Sequence, residues 1–200
     1  MQPYLLIFLV GLVYILGFDA LSILRRQGVS SRFALESLGV TVVFVVLSFV
    51  APIHLIIFLI ALYLITMRVR LLVDLGSWLT SRRRFDQALN VYHLALRLGT
   101  DDITRQIVLI NQGVTQLRMG DPEAAYVTLE EAMANEQIRP AAKYQSAGYY
   151  NLGLACRRTG REASAVRRFN EAIDILPNSI YAHGARQALK EGKAEKTQEN

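Results

Sequence analysis

Apolar residues crowd into the first third of the chain. Residues Pro3 to Phe18 (PYLLIFLVGLVYILGF) carry no charge, and the apolar pattern resumes after Asp19 as far as Leu24, before Arg25 and Arg26 close it. This predicts one helix over about residues 3–24, enough for the ~20 apolar residues that cross ~30 Å of hydrocarbon. No Lys or Arg precedes the run and no small-x-small site follows it, so it reads as a retained span and not as a cleaved leader. A second run, Leu38 to Met67, contains no Asp, Glu, Lys or Arg. As one helix it would extend roughly 45 Å, which is more than one untilted crossing requires. Pro52 sits at its middle, where the missing N–H and the ring clash kink or break a helix. Two readings of residues 38–67 stay open: one tilted, kinked span, or a hairpin of two short helices, Leu38–Ala51 and Ile53–Met67. His54, beside the proline, reads as a neutral side chain satisfying a carbonyl freed by the kink.

From Arg68 the pattern becomes amphipathic, and three segments of 34 residues fall into register: 69–102, 106–139 and 146–179. The third places Tyr149, Leu152, Gly153, Ala165, Phe169, Ala172 and Pro177 at positions 4, 7, 8, 20, 24, 27 and 32, with Gly160 in the turn. The first supplies Leu72, Leu75, Gly76, Ala88, Tyr92 and Ala95, and the second Leu109, Gly113, Ala125, Leu129 and Ala132. Thr100, Gln112, Gln116, Gln137 and Cys156 depart from the pattern. Small residues at positions 8, 20 and 27 let two antiparallel helices approach while large ones fill the space between neighbouring pairs. In these residues the chain resembles the tetratricopeptide repeat (TPR) family. The resemblance, together with the apolar runs before it, implies an all-α fold: N-terminal transmembrane helices, then a three-repeat helical solenoid with a C-terminal capping helix. The expected division is a membrane anchor over 1–67, a repeat domain over 68–189 with its cap at 180–189, and a polar tail over 190–200 that is frayed or disordered.

Composition sharpens the picture in two places. A chain that is 52% hydrophobic and 20% charged, with mean hydropathy +0.25, excludes a disordered polymer. Of the net charge of +5, little lies in the first third, where only Asp19, Arg25, Arg26, Arg32 and Glu36 are charged before Arg68. Arg25, Arg26 and Arg32 on one side, and Arg68, Arg70, Arg82, Arg83 and Arg84 on the other, both obey the positive-inside bias if residues 38–67 enter and leave by the cytoplasmic face. This predicts an integral protein of an inner or plasma membrane with its repeats in the cytoplasm. The single Cys156 is compatible with reducing surroundings. Arg68, Arg70, Arg82, Arg83 and Arg84 are candidates for anionic lipid headgroups. Interleaved acids such as Glu130, Glu131 and Asp174 leave no continuous basic stripe, so no nucleic acid is expected.

Chemistry-bearing constellations are missing from the sequence. His54, His93 and His183 lack ligand spacing with Cys156, no phosphate loop or dinucleotide fingerprint occurs, and no nucleophile, base and orienter converge. No enzyme activity, metal, cofactor or small-molecule substrate is expected. Cys156 reads as a small core residue. The family resemblance implies a concave groove that takes a partner peptide or helix. Its positions here are Asp74 in the first repeat, Ile107, Ile110, Asn111, Val114 and Arg118 in the second, and Tyr150, Asn151, Leu154, Arg157 and Arg158 in the third. The family's two-carboxylate clamp is broken by Val73, Ser77, Ala147 and Asn151, and only Asn111 matches it. The expected function is a membrane-anchored interaction module or scaffold. The alternative is a structural or assembly subunit of an integral membrane complex that binds through its transmembrane helices.

Overall fold

The computed structural model describes residues 2–24, 31–51, 53–135, 137–138 and 140–198. Among them are nine helices and no strand: α1 (Pro3–Leu24), α2 (Ser31–Leu47), α3 (Leu55–Ser81), α4 (Phe85–Arg97), α5 (Asp102–Met119), α6 (Pro122–Met133), α7 (Ala142–Arg158), α8 (Glu162–Ile175) and α9 (Ile180–Gln198). They divide into two compact units, Met1–Leu71 and Leu72–Asn200.

In the first unit, α1, α2 and the first part of α3 run up, down and up. Tyr4 stacks on Phe49, Phe18 stacks on Phe33, and Phe44 meets Phe58, which sets α2 antiparallel to both of its neighbours. Within the apolar run 38–67, α2 ends at Leu47 and α3 begins at Leu55; Pro52 itself lies outside the described residues. Its interior combines Ile7, Phe58 and Leu62 with a few small and polar groups. Gly11 closes on Thr41, Thr41 and Ser37 are buried, and the Tyr14 and Thr66 hydroxyls are 2.9 Å apart. Leu and Val of α1 and α2, and Ile and Leu of α3, face outward. α3 is the described helix that by itself is long and apolar enough to cross a membrane, with a mean hydropathy of 2.3 over its best window. It continues past Met67 to Ser81, because the Met-Arg-Val-Arg-Leu-Leu stretch holds neither Gly nor Pro to stop it.

The second unit is a row of helical hairpins: the end of α3 with α4, α5 with α6, and α7 with α8. Each depends on one close approach. A Cβ on Gly76 would lie 2.5 Å from the Tyr92 ring, one on Gly113 2.4 Å from Leu129, and one on Gly153 2.6 Å from Phe169. These glycines hold position 8 and their partners position 24, so each repeat joins its two helices by the same contact. Ala88, Ala125, Ala165, Ala95, Ala132 and Ala172 are buried beside them. Gly120 ends α5 in the left-handed conformation (φ 96°), and Asp121 then caps α6 by accepting from the Ala124 N–H, with Pro122 in the first turn.

Helix lengths differ from the repeat frame in three places. Residues 103–105 belong to α5, which Asp101 caps by accepting from the Thr104 N–H, and residues 142–145 form the first turn of α7. The polar stretch expected to fray is helical through Gln198. Lys, Glu and Ala are strong helix formers, and Gln187 donates to Glu191 one turn on.

Candidate partner-binding face

The first helices of the repeats stand side by side, and their contacts decide which predicted residues remain accessible. Between the first and second repeats the seam is polar. Ser77 Oγ donates to Asn111 Oδ1 at 3.3 Å, and the Thr80 and Thr115 hydroxyls meet at 2.8 Å. Asn111 and Asn151, at the same repeat position, each donate an amide N–H to the carbonyl four residues back, Ile107 and Ala147, at 2.8 Å. Asn151 is only 9% exposed. One N–H of each side chain is thus spent inside its own helix.

Three residues assigned to the groove are used elsewhere. Ile110 is 3% exposed and packs against Gly148 of α7. The Tyr150 ring lies against Tyr181 and Gly184 of α9. Arg157 donates to the Ala188 carbonyl at 2.7 Å and stacks on Phe169. α9 therefore covers the surface of the third repeat that a further repeat would occupy, and Leu154 is partly buried against the core. Asp74, Arg118 and Arg158 are exposed, and Ile107, Asn111 and Val114 are half-exposed. On α5, Ile107, Asn111, Val114 and Arg118 fall at i, i+4, i+7 and i+11, which is one helical stripe.

Of the arginines assigned to lipid, Arg68 is committed within the protein. It makes a bidentate pair with Glu36 at 2.6 and 2.7 Å, and so is not available as a free headgroup ligand. Arg70, Arg82, Arg83 and Arg84 are exposed, with Arg82 stacked over Trp78. Cys156 is buried, and burial pushes its thiol pKa up against the pull of Arg168 and other arginines. Among the described residues no three His, Cys, Asp or Glu side chains gather where they could hold a metal.

The sequence reasoning missed Thr115 and the extent of α9. Thr115 occupies a repeat position with no pattern of its own, and no spacing rule shows which first-helix positions a neighbouring helix will cover.

Stacked antiparallel hairpins joined by small-to-large contacts define a helical repeat protein. Residues 71–104 match the tetratricopeptide repeat family, and the two hairpins that follow reproduce the close approach seen within those residues. A search of curated proteins gives no match. Tetratricopeptide repeats are typically non-enzymatic modules for protein interaction or scaffolding, and the match suggests a role of that class.

Proposed function

We propose that the chain is a membrane-anchored scaffold that takes a segment of a partner protein on the first-helix face of its repeats. The observation that carries this reading is the α5 stripe of Ile107, Asn111, Val114 and Arg118, where two half-exposed apolar side chains, an amide and an exposed guanidinium line up along one first helix. Asp74 and Arg158 flank it on neighbouring repeats. The membrane part of the reading is supported by the first unit, whose outer faces carry leucine, valine and isoleucine while Gly11, Ser37 and Thr41 lie inside beside Ile7, Phe58 and Leu62. Apolar outer faces over close-packed small residues suit a hydrocarbon surrounding. With the N-terminus outside, three passes put Arg68, Arg70 and the repeats in the cytoplasm.

A photo-crosslinking amino acid tests the binding face in native membranes. Placed at Val114 it should trap a protein partner, and placed at Val127, on the exposed side of α6, it should not. Val114→Asp should weaken capture about tenfold, or ~1.4 kcal/mol. Capture that survives Val114→Asp but is lost on substitution within α1 or α2 would instead favour assembly through the membrane helices. Orientation is tested with Cys156→Ala carrying a new cysteine at Lys190. Modification by an impermeant thiol reagent in intact cells would overturn the cytoplasmic placement.

A further inference from the structure

Where α3 ends and α4 begins, a cleft of about 350 Å³ is lined by Thr80, Ser81, Arg83, Phe85 and Arg118. Its hydroxyls are already engaged: Thr80 Oγ donates to the Gly76 carbonyl and meets Thr115, and Ser81 Oγ donates to the Trp78 carbonyl. Its two guanidinium groups are not. Neither Arg83 nor Arg118 has a side-chain hydrogen bond or ion pair among the described residues. Elsewhere in the same unit arginines are commonly paired, Arg105 with Glu131, Arg161 with Glu123 and Arg168 with Glu171. Arg83 also holds a left-handed backbone (φ 60°), a conformation that glycine would adopt without strain. The cleft therefore brings together two uncompensated cations, one of them at a strained position, beside an aromatic wall.

We propose that this cleft binds acidic side chains of an extended peptide segment. The inference rests on the reading of the domain as a protein-binding module, and it names the chemistry of the partner. The direction of the segment follows from the next repeat, where Arg158 Nη1 donates to the carbonyl of Leu117, the residue before Arg118, at 3.0 Å. Arg83, Arg118 and Arg158 thus stand at the ends of three successive first helices. Packed helices are ~8–10 Å apart, and a chain extended as polyproline II rises ~3.1 Å per residue and returns to the same face every third residue. Carboxylates at every third residue therefore match the arginine row, with an apolar residue between them to lie on Phe85.

The test uses the full chain in an uncharged detergent and a fluorescein-labelled twelve-residue peptide with Glu at every third position and Phe among the remainder. Saturable binding is expected, weakening with added salt and falling at least tenfold when Glu is replaced by Gln. Arg83→Gln with Arg118→Gln should cause a similar loss, while Arg97→Gln with Arg167→Gln, arginines outside the cleft, should leave it unchanged. Equal binding of the Glu and Gln peptides, or no binding, overturns the proposal. So does an Arg83/Arg118 variant that binds the peptide normally but loses association with phosphatidylglycerol vesicles. Native-partner capture that depends on Val114 but not on Arg83 and Arg118 removes this inference and leaves the scaffold reading standing.

Discussion

Gly153 lies so close to Phe169 that a methyl group added to it would stand 2.6 Å from the aromatic ring. Phe169 is fully buried, so the ring cannot swing aside into solvent. The same relationship joins Gly76 to Tyr92 and Gly113 to Leu129. The repeat pattern is thus a record of where one helix must be bare so that its partner can be large.

Gly153→Ala should accordingly destabilise the protein by about 1–3 kcal/mol through overpacking. Gly160→Ala should cost about 1–2 kcal/mol for a different reason, since its Cβ would meet open space but its φ is 74°. Adding Phe169→Leu separates the two mechanisms. Denaturant unfolding should show partial rescue of Gly153→Ala, and simple additivity with Gly160→Ala.

Ala165 and Ala172 are fully buried between α7 and α8, whereas Ala142 is exposed in the first turn of α7. Leucine at either buried site should lower stability by roughly 1–3 kcal/mol or more. Ala142→Leu should stay within about 0.5 kcal/mol of the parent. Three equal melting temperatures would show that the repeat register is misplaced.

Gln112 occupies the position where the repeat pattern has leucine. Its Oε1 is buried without a partner among the described residues, and its Nε2 lies 3.4 Å from His93 Nε2. Removing a half-satisfied buried amide recovers a desolvation cost of about 1–3 kcal/mol. Gln112→Leu should therefore raise the melting temperature by about 2–8 °C; a fall would show that the Gln112–His93 contact stabilises the seam.

Burial raises the Cys156 pKa, so the folded state favours the neutral thiol. The resulting stability is fully present below the ordinary thiol value of ~8.5 and is lost as pH rises through the folded value. Comparing the chain with Cys156→Ala isolates this group. The advantage of the parent over the variant should be constant from pH 6 to 8 and shrink above pH ~9, and an advantage that grows with pH would reverse the assignment.

The hairpin fold is legible in the sequence because Gly76, Gly113 and Gly153, with Ala88, Ala125 and Ala165, recur at spacings that only close helix packing explains. Gly120, Gly160 and Pro122 mark turns for the same local reason. The accessible face is far less legible. Ile110, Tyr150 and Arg157 occupy first-helix positions that the family resemblance assigns to an open surface. A residue's place within its own helix does not say how far the next helix will reach across it. Here Gly148 and Gly184 admit their neighbours' side chains, which removes Ile110 and Tyr150 from the open face. The length of α9 is not legible because its polar composition suits disorder, while its lysines and glutamates also favour helix.

α9 meets the third repeat through Ala182, Ala185 and Ala188, with Gly184 admitting Tyr150. A terminal helix so sparsely furnished places few demands on what it covers, and it begins one repeat length after the start of the third segment. Gene duplication could therefore lengthen this array by inserting one whole 34-residue repeat ahead of Ile180, leaving the same terminal helix to close the longer series. The number of repeats is in that sense a heritable variable of this architecture, adjustable without redesign of its end.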